Sequence, residues 1–120
     1  MKKLYVNCPV KYRKQEDIIK SIEKMHKIAE IDLDQKLELI LPPLDLPSGE
    51  KGDLIYLSDC INKIKDADFC VTGNLRGDRI WPEHWLINSV CRQLNIPTVW
   101  IELERLMPDI DDLIHREERF

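Results

Sequence analysis

Four short runs of strand-forming residues, Leu4-Tyr5-Val6-Asn7-Cys8, Leu37-Glu38-Leu39-Ile40-Leu41, Phe69-Cys70-Val71-Thr72 and Pro97-Thr98-Val99-Trp100-Ile101, alternate along the chain with longer stretches of helical periodicity. No other feature constrains the fold as strongly. A strand followed by an amphipathic helix and then another strand returns to the same sheet by a right-handed crossover, and repetition of that unit gives a parallel sheet with helices on its faces. The 120 residues, 43% hydrophobic and 33% charged, suffice for one compact domain with one core and fall short of two.

The helical stretches define themselves by spacing. Between Lys14 and Glu30, the residues Ile18, Ile22, Met25 and Ala29 recur at three- and four-residue steps among charges, predicting a helix that faces the sheet. Pro42-Pro43 stops the second strand, and 44–52, with Pro47, Ser48, Gly49 and Gly52, reads as a long loop. Asp53 then stands where a cap is expected, ahead of a stripe of Leu54, Leu57, Ile61 and Ile64. Pro82 suits the first turn of a third helix, with Leu86, Val90 and Leu94 on one face. Residues 1–101 form the expected core, and Leu103, Leu106, Ile110 and Ile114 mark 102–120 as a helical C-terminal segment broken or begun at Pro108.

Charge and composition exclude several function classes. The formal net charge of -4, with Lys and Arg scattered among acids, leaves no basic face for duplex nucleic acid. No stretch approaches the roughly 20 apolar residues of a membrane helix, and the chain enters a strand at once instead of a signal-peptide pattern, so a cytoplasmic protein without a membrane partner is expected. Cys8, Cys60, Cys70 and Cys91 lie far apart with no C-x-x-C pair and read as buried reduced thiols, with a nucleophile at Cys8 as the sharper alternative. His26, His84 and His115 share no metal-ligand spacing, so neither a metal nor an organic cofactor is expected.

In a parallel sheet the carboxyl ends of the strands share one edge, where α/β proteins place their ligands. Three distinctive segments meet there: 7–13 after the first strand, 42–52 after the second, and 73–81 after the third. The third matters most. Gly73 and Asn74 open it, Arg76, Arg79 and Trp81 follow, and Glu83, His84 and Trp85 begin the helix. Arginine forks bind phosphates and tryptophan faces stack on bases, a mixture that suits a nucleotide. Structural readings stand beside these: solvated arginines, Trp85 in the core, Asn74 holding an Asx turn, Asp68 pinning a turn, and Glu83 opposing the positive end of the helix dipole. Tyr12, Arg13 and Lys14 can likewise meet a phosphate or simply form an exposed helix start.

Leu4-Tyr5-Val6-Asn7-Cys8-Pro9, the entry Ile61 to Asp68 and the closing Leu94-Asn95-Ile96-Pro97-Thr98-Val99 together resemble the nucleoside 2-deoxyribosyltransferase-like superfamily in order and spacing. The resemblance implies a flavodoxin/Rossmann-like three-layer sandwich with a four- to five-stranded parallel sheet, assembled as a homodimer or higher homo-oligomer and binding a nucleoside or nucleotide. It also implies cleavage or transfer of an N-glycosidic bond by a glutamate nucleophile through a covalent glycosyl intermediate. Glu83, fifteen residues after Asp68, is the candidate nucleophile, with Asp68 or Asn74 orienting the sugar. Asn7, Cys8, Pro9, Gly73, Asn74, Arg76, Arg79, Trp81 and His84 are the candidate ligand-binding residues. The closing motif gives a different register: eight residues back from Asn95 stands Ile87, one helical turn or about 6 Å beyond Glu83. A module that senses or sequesters a nucleotide without chemistry is the alternative.

Overall fold

A computed structural model describes residues 1–10, 13–44, 51–75 and 82–103, apart from the side chains of Asp53, Leu75, Pro82, Glu83 and His84. Four strands and three helices alternate: β1 (Lys2–Asn7), α1 (Gln15–Asp32), β2 (Leu37–Ile40), α2 (Gly52–Ile64), β3 (Phe69–Leu75), α3 (Pro82–Gln93) and β4 (Thr98–Leu103). All pairs are parallel, in the order β2-β1-β3-β4. The chain thus steps from β1 to β2 on one side, then crosses back over β1 to β3. Right-handed crossovers put α1 on one face and α2 and α3 on the other. This is the flavodoxin/Rossmann-like α/β sandwich.

Strand alternation sorts the side chains into two cores. Leu4, Val6, Leu37, Val71 and Leu103 meet Ile18, Ile22, Met25 and Ala29 of α1. On the opposite face Tyr5 and Cys70 meet Tyr56, Cys60 and Ile64 of α2 and Ile87 and Cys91 of α3. The α1 stripe matches its periodicity residue for residue.

The other two helices keep part of their expected stripes, Ile64 and Leu57 in α2 and Val90 in α3, but their most buried rows are turned away from the rest. In α2 the inward row is Tyr56, Cys60 and Ile64, while Leu54 is 65% exposed. In α3 the inward residues are Ile87 and Cys91 together with Asn88; Leu86 and Leu94 stand about half exposed, and Leu94 lies just past the helix. One residue along a helix turns the side chain by roughly 100°. Reading only aliphatic residues as apolar misses Tyr56, Cys60 and Cys91, which pack beside Ile64 and Ile87. Trp85, too, is half exposed and not in the core.

Element ends carry further corrections. Gly52 is the first residue of α2 and Lys51 its N-cap, without a side-chain cap bond, so Asp53 lies inside the helix instead of capping it. β3 continues through Gly73 and Asn74 to Leu75, paired with β4 as far as Leu103, so these residues belong to the ladder and not to a loop. Leu103 is therefore a fully buried strand residue instead of the start of a C-terminal helix. Residues 104–120 lie outside the described residues.

Helices α1 and α3 end in the same way. Asp34 and Asn95 have φ of 51° and 57°, the left-handed conformation that short polar side chains tolerate. At α3 the N–H of Ile96 bonds Cys91 O and that of Asn95 bonds Arg92 O; at α1 Gln35 bonds Glu30 O and Asp34 bonds Ile31 O. Both are Schellman caps. The α1 cap leads into a clamp on β2, where Glu30 Oε2 accepts the Leu37 N–H at 2.9 Å and His26 Nε2 donates to Leu37 O at 2.8 Å. The N–H of Leu37 holds the Glu30 carboxyl below its ordinary pKa, with His26 and Lys36 acting in the same sense against burial. His26 thereby has a structural task.

Gly73 explains why β3 can lie so close under α1. A Cβ there would stand 2.7 Å from Met25 Cε and 2.9 Å from both Met25 Sδ and Leu103 Cδ1. Met25 and Leu103 are fully buried, so the ends of their side chains can give way only by shifting within the core. Gly73→Ala is expected to lower stability by about 1–3 kcal/mol through overpacking, read as a lower denaturant midpoint, and shortening the neighbour with Met25→Val should recover part of the loss.

Candidate functional site

The chain reverses its direction across the sheet between β1 and β3, and the crevice outside the carboxyl ends of these strands is the topological switch point. β1 and β3 pair from Leu4 opposite Phe69 to Asn7 opposite Thr72. At that edge the side chains on the α2/α3 face change from apolar to polar: Tyr5 gives way to Asn7, and Cys70 to Thr72 and then Asn74.

A buried polar chain ties the edge together. Asn7 Nδ2 donates to Thr72 Oγ1 at 3.5 Å, and Thr72 Oγ1 donates to Asn88 Oδ1 of α3 at 3.3 Å. Asn7, Thr72 and Asn88 are all buried. Periodicity arguments passed over Thr72 and Asn88.

The turn after β1 is held from within. Cys8 and Pro9 are buried, and Arg13 closes over them. Arg13 Nη1 donates to Pro9 O at 2.9 Å and approaches Cys8 Sγ at 3.7 Å, while Nη2 donates to Ser21 Oγ at 2.7 Å and to Asp17 O at 3.4 Å. Its fork is spent on the protein, and Glu16 and Asp17 already answer the positive end of α1. Burial pushes the Cys8 thiol up to about 11, although Arg13 pulls it down. At neutral pH Cys8 is a protonated, enclosed thiol, contrary to the nucleophile reading.

The predicted site residues divide by position. Asn7 and Asn74 share the carboxyl edge on the α2/α3 face, with Cys8 and Pro9 beside Asn7. Gly73 lies at the same level but faces α1, where Met25 and Leu103 fill its space. Glu83 is the second residue of α3, whose start follows β3 at this edge. Asp68 is elsewhere. Its Oδ2 accepts the Lys3 N–H at 2.8 Å and its own N–H donates to Lys3 O at 2.9 Å, pinning β3 to β1 at the amino edge. At about 3.3 Å per residue it stands roughly 20 Å from Asn74 along the strand. Arg76, Arg79 and Trp81 lie outside the described residues, as does the side chain of His84. Ile87, the alternative register for the glutamate, is buried against Cys91 and Val90 on the sheet.

Among the described residues no His, Cys, Asp or Glu cluster is suited to a metal ion, and no helix is long and apolar enough to cross a membrane. Fold and edge together define the class as a parallel α/β sandwich whose switch point falls between β1 and β3. No protein-family model, curated protein or solved structure matches the chain.

Two outcomes test this geometry. Thr72→Val strands the Asn7 amide and the Asn88 carbonyl in the interior and is expected to cost about 1–3 kcal/mol, measured by denaturant unfolding. Alkaline titration should expose the enclosed thiol. The unfolded Cys8 loses its proton near the ordinary value of 9.0 and the folded one near 11, so the folded state holds more protons in that window and stability falls as pH rises through it. Cys8→Ala should flatten that part of the decline; an unchanged slope would refute the assignment.

Proposed function

We propose that the carboxyl edge of β1 and β3 binds a nucleoside or nucleotide. The observation that carries this reading is the half-buried Asn74 at the switch point, next along the strand from the buried chain Asn7–Thr72–Asn88 that braces this edge, where its amide can match the hydroxyls of a sugar or the edge of a base. Trp85, half exposed in the first turn of α3, offers a face for base stacking. The resemblance of the first strand, the entry to β3 and the closing motif to the nucleoside 2-deoxyribosyltransferase-like superfamily points to the same ligand class.

A catalytic reading rests on Glu83, which begins α3 at this edge. Its carboxylate would attack the anomeric carbon and release the base, Asn74 rather than the distant Asp68 would orient the sugar, and water would then cleave the glycosyl-enzyme bond. The apolar, buried Ile87 favours the non-catalytic form, because a carboxylate one turn further along α3 would lie in the core. Incubation with deoxynucleosides and their monophosphates separates the two. Binding without chemistry predicts a rise in unfolding temperature with ligand and no free base on chromatography; base release abolished by Glu83→Gln establishes catalysis. The absence of both stabilisation and base release across the panel refutes the nucleotide reading.

A further inference from the structure

The ladder between β1 and β3 ends at Asn7 and Thr72, whereas β3 and β4 stay paired beyond it, Gly73 with Ile101, Asn74 with Glu102 and Leu75 with Leu103. The carboxyl edge of the sheet is therefore stepped. Where the β3–β4 ribbon projects past β1, its two faces differ in kind. On the α1 side Gly73 lies against Met25, and Ile101 and Leu103 pack into the same core. On the other side, the α3 side, strand alternation sets Asn74 beside Glu102, one step beyond Thr72 and Trp100.

Directly opposed residues of neighbouring strands stand about 5 Å apart, so Asn74 and Glu102 present an amide and a carboxylate as one polar pair. Asn74 is half-buried and Glu102 is exposed. An aromatic border accompanies them. Trp100, 44% exposed, is opposite Thr72, which is bonded to Asn88 of α3, and Trp85 lies one helical turn before Asn88 on the same flank of that helix.

We infer that Glu102, set beside Asn74, reads the sugar of the ligand and selects a ribose cis-diol over its deoxy counterpart, an inference that rests on the nucleoside reading of this edge. The two oxygens of a carboxylate accept from both vicinal hydroxyls of ribose at once. 2′-Deoxyribose supplies one of those donors, and 2′,3′-dideoxyribose neither. The neighbouring Asn74 amide donates to a ribose oxygen, which completes the match. Two residues along a strand advance roughly 7 Å, so Trp100 and Glu102 are spaced as a stacked base and its diol are. A carboxylate here also repels a phosphate on the 2′ or 3′ oxygen, which leaves the 5′ side for any phosphate the ligand carries.

The test is a sugar series. Calorimetric titration of the unsubstituted chain uses nucleosides and 5′-monophosphates of each common base, carrying ribose, 2′-deoxyribose or 2′,3′-dideoxyribose. For at least one base, affinity should fall about tenfold or more from ribose to 2′-deoxyribose, the effect of losing one hydrogen bond to a charged group. Glu102→Ala should bring the ribose ligand down to the level of the dideoxy ligand and leave the dideoxy affinity unchanged. Because Glu102 is exposed, the unfolding temperature of the free variant should match that of the unsubstituted protein. Affinity that does not favour ribose, a ribose preference that persists in Glu102→Ala, or equal losses for all three sugars would overturn the assignment while the nucleoside reading stands. No binding anywhere in the series overturns both.

Discussion

The ladder between β1 and β3 is the contact on which the rest of the structure depends. It joins residues 65 apart in sequence, begins at the Lys3–Asp68 clamp and ends at the Asn7–Thr72 bond. With β2 and β4 added on its two sides, the ladder lies at the centre of the sheet and is covered on both faces. Its residues can therefore be almost wholly apolar, as parallel strands are. Asn7 and Thr72 are the exception, and they are buried at the carboxyl end of the ladder. A buried polar pair costs stability unless it is matched, and here the Asn7 amide N–H and the Thr72 hydroxyl each find a partner on a neighbouring element, while Asn7 Oδ1 is buried without a hydrogen bond.

That arrangement gives residues of similar chemistry different places and partners. Asp68 and Asn74 belong to the same strand region, yet one fixes the register at the amino edge and the other stands at the carboxyl edge. Arg13 has the side chain expected of a phosphate ligand and instead braces the Cys8–Pro9 turn against α1. Position along the sheet decides what each can do.

Much of the architecture was legible in the chain because strand and helix periods alternate without ambiguity, and α1, whose inward row is wholly aliphatic or Met, was readable to the residue. The faces of α2 and α3 were readable only in part. Their inward positions include Tyr56, Cys60 and Cys91, while Leu54, Leu86 and Trp85 point outward, so a count of aliphatic residues finds only part of the stripe. Gly73 and Asn74 looked like a turn by composition. They belong to the ladder because they pair with Ile101 and Glu102 of β4, and a side chain at position 73 would press on Met25. Thr72 and Asn88 gave no periodic signal because their partnership joins a strand to a helix. The three short motifs pointed to a ligand class, but one helical turn separates the two registers they give for a glutamate, and Ile87 occupies the inner one.

The long reach of the β1–β3 ladder also bears on how the chain acquires its shape. Leu4, Tyr5 and Val6 have no complete surroundings until Phe69 to Thr72 have been synthesised, and α1 lacks the Gly73 surface on which Met25 rests until then. High contact order of this kind slows folding, because loop closure must precede the contacts that reward it. A ribosome extending this chain would therefore carry the first half as an uncommitted strand and helix, and the emergence of β3 would be the event that lets the molecule close.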